Sequence, residues 1–170
     1  GLRIGVIRSV VELADREVQA TFGQSLSHLQ DLDTQLSDIE PFHGVVLKVP
    51  IVNAEFASRH GARFAQTPDL LGEEVRRYLD LGLKVESSVH QEGLEHRAAL
   101  QREVEHRLGD VDAIVCPTSL TLPQPIGEDT RAKADANVTI PFNIARLSMI
   151  AIPNGLPGGL PTSLMIGARN

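Results

Sequence analysis

Three groups of residues carry types and spacings that invite a chemical reading: the serine pair Ser87-Ser88, the Glu103-Val104-Glu105-His106 run, and the solitary Cys116. Two adjacent serines suggest a nucleophile. No glycine flanks this pair to open space for a substrate, and Ser88-Val89-His90-Gln91 fits a helix capping box, in which the Ser88 hydroxyl accepts from the backbone amide three residues on and Gln91 folds back. A Glu-x-x-His spacing places a carboxylate and an imidazole on one helix face, as carboxylate-bridged metal sites require, but such sites need a second copy. No second copy lies on an expected helix, and the six histidines form no HxH, HxxxH or Cys/His set, so no metal centre is expected. Cys116 lies in the apolar run Ala113-Ile114-Val115-Cys116 and reads as a buried thiol in a reduced, cytoplasmic setting. With one cysteine, a disulfide framework is excluded.

The elements that would position such residues alternate in type. Leu2 to Ile7 is a strand, and Asp15 caps a helix with Val18, Phe22, Leu26 and Leu29 at helical spacing. A short extended piece near Ser37 to Pro41 completes a βαβ unit. A helix follows from Ile51 to Phe64, and Thr67-Pro68 reads as a cap and first-turn proline of a third helix ending at Gly82. Its inner face is Leu71, Val75, Tyr78 and Leu79, with Glu73, Glu74, Arg76 and Arg77 solvated. A long helix from the serine pair to Leu108 presents Leu100, Val104 and Leu108 inward and stops at Gly109. Asp112 to Thr118 is a buried strand ending at Pro117, and Pro123 and Pro125 then enforce an extended path. The polar run 127–137 is the expected mobile loop. Met149 to Ile152 and Leu164 to Ile166 are expected as buried strands, too short for helices and bounded by Pro and Gly. Between them, Pro153-Asn154-Gly155-Leu156-Pro157-Gly158-Gly159-Leu160-Pro161 is a shaped loop with no regular element.

The 170 residues, 42% hydrophobic, suffice for one globular domain, and the alternation of strands and helices makes it α/β in class. A net charge of −6 with scattered basic residues argues against nucleic acid or an anionic membrane as partner. No apolar run approaches the roughly 20 residues that span a bilayer, and no signal-peptide pattern opens the chain. The chain reads as soluble, and its opening directly on a strand reads as a cut.

Taken in order, these pieces resemble the C-terminal part of the amidase signature family, which includes bacterial amidases, fatty acid amide hydrolases and amidotransferase A subunits. The resemblance covers essentially the whole chain. Leu2-Arg3-Ile4-Gly5-Val6 is similar to the strand after the family's catalytic segment, and Asp112 to Thr118 to its Asp-x-hydrophobic-x-x-Pro-Thr strand. Thr139, Pro141, Asn143, Pro153, Gly155, Leu160, Pro161 and Met165-Ile166-Gly167 match the family pattern in order and spacing. Where the family has Gly and Pro after its Asn, this chain has Arg146 and Ser148.

The resemblance implies residues 1–170 as a single incomplete amidase-signature domain, an α/β partial mixed sheet flanked by helices that forms the C-terminal portion of that fold, with the catalytic N-terminal half absent. The family's chemistry is amide hydrolysis by a serine nucleophile, a second serine in a cis peptide and a lysine, with loop amides as the oxyanion hole. Those residues lie upstream in the family. Here only Lys48, Lys84 and Lys133 are present and no serine has a Gly-Ser-Ser-Gly context, so no catalytic residue and no cofactor is expected in this chain.

What remains by resemblance is pocket wall: Arg97, Thr118, Asn143 and Asn154. Arg97 stands where amidotransferase A subunits bind the carboxylate of an amino-acid amide, a task suited to a planar guanidinium; the alternative is an exposed helix arginine. Thr118, Asn143 and Asn154 also have structural readings as turn and cap hydrogen-bonding residues. Ala136, where those subunits carry an ammonium-binding aspartate, and His90, in place of a helix tyrosine, tell against a glutamine-using tRNA amidotransferase. The chain is therefore expected to be inactive alone. Its expected partners are a second copy or a complementing N-terminal amidase half, and a small amide substrate only in the complete enzyme. The alternative is a non-catalytic binding or assembly module retaining the half-fold.

Overall fold

The computed structural model describes residues 1–40, 50–127 and 138–168. The chain divides into two compact units, residues 1–45 with 100–170, and residues 46–99. In the first, β1 (Arg3–Val6) is followed by α1 (Arg8–Glu12), α2 (Arg16–Asp31) and β2 (Gln35–Asp38), and later by β3 (Ala113–Pro117), α6 (Ile140–Ala145), β4 (Ser148–Gly155) and β5 (Thr162–Ala168). The second holds α3 (Pro50–Gln66), a 3₁₀ turn at Pro68–Leu70, and α4 (Glu73–Leu83); α5 (Ser87–Arg107) starts there and ends in the first unit.

The first unit is built on a five-stranded mixed sheet in the order β2-β1-β3-β5-β4. β1 is parallel to both β2 and β3, while β5 is antiparallel to β3 and to β4. Consequently β1, β2, β3 and β4 all point the same way, and the start of β5 lies at their carboxyl ends. The pleat sorts alternate residues of β3 to opposite faces: Val115 packs with Ile4, Val6, Leu164 and the α2 residues Phe22 and Leu26, whereas Ile114 and Cys116 pack with Leu100, Val104, Leu108 and Phe142. Helices therefore cover both faces, as expected of an α/β sheet with parallel strands. The inner faces expected for α2 and for the end of α5 are the ones observed, Phe22, Val104 and Leu108 being almost wholly buried.

Several local expectations are corrected. β4 is an edge strand with Ile150 and Ile152 exposed, not a buried one, and it runs through Pro153 and Asn154 to Gly155. An edge tolerates a proline because one side of its backbone needs no ladder partner. The remaining loop contains a 3₁₀ turn, Pro157–Gly159. Asp15 occupies the cap position of α2, but its carboxylate makes no capping bond and instead accepts from the Leu122 backbone amide at 3.4 Å. Thr67 and Pro68 open the 3₁₀ turn, not α4; Leu71 is extended, and the helix restarts after Gly72 with Glu73 and Glu74 in its first turn, where carboxylates complement the helix dipole. In α4 the buried residues are Leu79 and Gly82, while Val75 and Tyr78 are exposed, Tyr78 lying beneath the Arg77 guanidinium at 4.6 Å. Since α5 begins at Ser87, Ser88 sits inside its first turn and cannot be its cap. Of the expected mobile loop, 127–137, all but Gly127 lies outside the described residues.

Candidate functional site

In sheets of this kind the loops that leave the carboxyl ends of parallel strands are where polar groups gather against a ligand. The first unit concentrates unusual side chains there. Ser9 Oγ in α1, Thr118 Oγ1 just after β3, and Asn154 Oδ1 near the end of β4 are buried with no hydrogen-bond partner among the described residues. A buried polar atom left unpaired costs about 1–3 kcal/mol, so three at one end of one sheet are a feature to be explained.

Thr118 is held there by its backbone, whose N–H donates to the Ser163 carbonyl at 3.0 Å and continues the β3–β5 ladder past Pro117. Asn154 is anchored from the other side. Its Nδ2 donates to Ser25 Oγ at 3.0 Å, Ser25 Oγ in turn donates to the Thr21 carbonyl at 3.0 Å, and the Thr162 hydroxyl bonds Thr21 Oγ1 at 3.1 Å. Gly155 completes the joint: a Cβ there would stand 2.6 Å from Thr21 Cγ2. This cluster pins the β4–β5 connection onto α2 and spends one half of the Asn154 amide, leaving Oδ1 unpaired. Thr21 and Ser25 were not singled out from sequence. Their signal is an i, i+4 polar pair, each residue immediately preceding a core residue, Phe22 and Leu26.

Asn143 lies exposed in α6, whose chain leads into the opening residue of β4, Ser148. The backbone of α6 ends in a Schellman motif, with Leu147 N–H donating to the Phe142 carbonyl at 3.1 Å and Arg146 N–H to that of Asn143 at 3.2 Å. Arg146 itself is left-handed, with φ 60°. The position where the resembled family has glycine is thus one whose backbone favours glycine.

Arg97 belongs to the second unit. Its Nη1 lies 2.7 Å from Glu55 Oε1 on α3, and the arginine side chain is mostly buried. A turn earlier the α3 and α5 backbones approach closely, a Cβ at Gly93 meeting Ile51 Cβ at 3.0 Å. His90 Nε2 is buried in this unit without a partner among the described residues. Of the four wall candidates, then, Thr118 and Asn154 share one end of the sheet, Asn143 is on α6, and Arg97 carries a protein carboxylate.

The remaining chemistry-bearing residues are structural. Burial pushes the Cys116 thiol up to about 12, so it is neither a nucleophile nor a ligand at neutral pH. Asp112 clamps β1 to β3, accepting from the Arg3 backbone N–H at 2.8 Å and from Nη2 at 2.9 Å; the hydrogen bond and the charge of Asp112 hold the Arg3 guanidinium pKa above its ordinary value. Glu103 faces Arg107 along α5 at 3.9 Å. Among the described residues no group of three or more His, Cys, Asp or Glu is placed to hold a metal ion, and no helix is long and apolar enough to cross a membrane.

Comparison with known proteins places this geometry in a family. The Amidase family model matches residues 1–170. The glutamyl-tRNA(Gln) amidotransferase A subunit of Methanothermobacter thermautotrophicus is 27% identical over 99% of this chain and 41% of its own length. The protein of the same name from Thermoanaerobacter pseudethanolicus is 32% identical over 100% of this chain and 41% of its own length. Among solved structures, one described as a crystal structure of amidase superposes with a TM-score of 0.84 at 23% identity, over 99% of this chain and 42% of that one. A bacterial aryl acylamidase of the amidase signature family gives 0.75 at 13% identity, covering 99% and 40%. These structures share the fold. The chain belongs to the Amidase family and spans about two fifths of the length of the curated relatives it matches.

Proposed function

We propose that this chain is the C-terminal segment of an amidase-signature amide hydrolase, supplying pocket wall and scaffold while the nucleophilic serine, the bridging serine and the lysine come from a complementing N-terminal half. The observation that carries this reading is the set of unpaired polar atoms at the carboxyl end of the sheet. Thr118 Oγ1 can both donate and accept, and Asn154 Oδ1 accepts, which are the capacities an amide group uses. Buried polar atoms are ordinarily paired, so atoms without a partner among the described residues are available to a bound amide. Asn143 is proposed as a further wall residue. The substrate is a small uncharged amide: Arg97 is already neutralised by Glu55, and Ala136 and His90 depart from the residues that serve amino-acid amides. The setting is the reducing cytoplasm, in keeping with the free, buried Cys116.

Thr118→Val tests the reading. Valine keeps the shape and removes an unpaired hydroxyl, so the chain alone should be unchanged or more stable by about 1 kcal/mol. In a complex with the remaining three fifths of the Thermoanaerobacter pseudethanolicus relative, hydrolysis of a simple amide should fall about tenfold in kcat/KM, as loss of one hydrogen bond to substrate predicts. Undiminished hydrolysis by the variant complex would remove Thr118 from the wall.

A further inference from the structure

The pairing of β4 with β5 slips at one residue. Pro153 stands opposite Ser163 and Gly155 opposite Thr162, so Asn154 is the extra residue of a β-bulge, with no opposite number on β5. A bulge bends its strand and re-aims a side chain. Here the Asn154 amide meets α2, whose buried residues are Val18, Thr21, Phe22, Ser25 and Leu26. Two buried hydroxyls among apolar neighbours have to be satisfied, and the direction of each hydrogen bond can be followed outward from the helix. Ser25 Oγ donates to the Thr21 carbonyl at 3.0 Å, and Thr21 Oγ1 donates to the Val18 carbonyl at 3.1 Å, the back-bonding that helical serine and threonine favour. A hydroxyl has a single proton to give. Ser25 Oγ can therefore only accept from Asn154, and Thr21 Oγ1 can only accept from Thr162.

That polarity decides which end of the Asn154 amide faces away from α2. With Nδ2 toward Ser25, the bonds to Ser25 Oγ and on to the Thr21 carbonyl are both made, and Oδ1 is left without a partner among the described residues. Turned over, the amide oxygen would need the Ser25 proton, the bond to the Thr21 carbonyl would be lost, and Nδ2 would take the buried place of Oδ1. One hydrogen bond fewer disfavours the turned form about fivefold. We infer that Ser25 is a positioning residue, which holds the Asn154 amide so that Oδ1, and not Nδ2, faces the substrate at the carboxyl end of the sheet. The inference rests on the proposed function and adds a substrate requirement to it. A position that offers only an acceptor takes a group that donates. The amide hydrolysed therefore carries an N–H, as primary and secondary amides do and N,N-dialkyl amides do not. Thr162 and Gly155 keep the bulge in place, Thr162 by its bond to Thr21 and Gly155 because a Cβ there would collide with Thr21 Cγ2.

The test uses this chain in complex with the remaining three fifths of the Thermoanaerobacter pseudethanolicus relative, with benzamide as substrate and N,N-dimethylbenzamide, which has no N–H, as competitive inhibitor. Ser25→Ala should lower kcat/KM for benzamide about fivefold and leave the inhibition constant of N,N-dimethylbenzamide unchanged. Ser27→Ala is the control, since Ser27 lies on the same helix and its hydroxyl donates in the same way to the Gly23 carbonyl, but it is exposed; it should change neither value. Asn154→Leu removes both ends of the amide and should lower kcat/KM for benzamide about tenfold. Ser25→Ala added to Asn154→Leu should cause no further loss, because Ser25 acts only through the amide it orients. A loss that adds to that of Asn154→Leu, or an inhibition constant that weakens in step with benzamide hydrolysis, would make Ser25 a structural residue and overturn the inference. Undiminished benzamide hydrolysis by the Ser25→Ala complex would also overturn it and leave the proposed function standing. Absence of amide hydrolysis by the wild-type complex would overturn both.

Discussion

Cys116 shows how one side chain reports the state of the whole core. Its thiol is pushed up to about 12 by burial from an ordinary value of 9.0, so between those limits the unfolded chain loses a proton that the folded chain keeps. Stability is full below about pH 9 and declines as pH rises, by at most about 1.4 kcal/mol per unit. Urea unfolding of the chain and of Cys116→Ala from pH 8 to 11 should give curves that converge as pH rises, because the variant lacks this loss. Parallel curves would mean that Cys116 is not buried as described. Arg146 carries a second test at this scale. Its side chain has contacts of its own, so the informative comparison is Arg146→Gly with Arg146→Ala, which remove them alike. The left-handed backbone should make the glycine variant the more stable by about 1 kcal/mol. Equal stabilities would argue against the Schellman geometry. Neither property was legible in the residue alone: burial of Cys116 was, from its apolar run, while the φ of Arg146 surfaced in the sequence only as a departure from a family glycine.

Two glycines in helices separate what an element needs from what its neighbour needs. Gly23 in α2 faces open space, and a methyl group there meets nothing within 4 Å, so Gly23→Ala should stabilise the chain by about 0.5–1 kcal/mol through the unfolded state. Gly82 in α4 is the opposite case. A Cβ would collide with the backbone of α3 at Asn53 and stand 2.8 Å from Ala57 Cβ, so Gly82→Ala should cost about 1–3 kcal/mol and fall on the second unit. Hydrogen exchange resolved by segment would locate that loss in α3 and α4. Opposite signs for these two chemically identical changes are the expectation; a stabilising Gly82→Ala would contradict the close α3–α4 approach. Periodicity revealed the helices and most inner faces, because Val18, Phe22, Leu26 and Leu100, Val104, Leu108 repeat at helical spacing. It misled at Val75 and Tyr78 and at β4, since periodicity states which residues are apolar and not whether another element arrives to cover them.

At the scale of the molecule, each unit by itself exposes large apolar side chains: Ile150, Ile152 and Leu156 in the first, Val52, Leu70 and Leu83 in the second. Exposed apolar surface together with an unprotected strand edge favours association. The isolated chain should therefore show a mass by light scattering that rises with concentration over the micromolar range, and Ile150→Lys should suppress the rise; a concentration-independent monomer would count against an open β4. The architecture was legible to the level of a partial mixed sheet between helices. The end of the sheet that carries Thr118 and Asn154 was not, because it depends on β4 running parallel to β3 with β5 reversed between them, and strand order leaves no local trace. Under the proposed function, the reacting groups lie outside these residues. Its most direct test is labelling of the two-polypeptide complex with a fluorophosphonate, followed by mass spectrometry to find which polypeptide carries the adduct. The account predicts an amide-hydrolysing complex whose label resides wholly on the complementing polypeptide, with none on this chain alone; a labelled serine within residues 1–170 would contradict it.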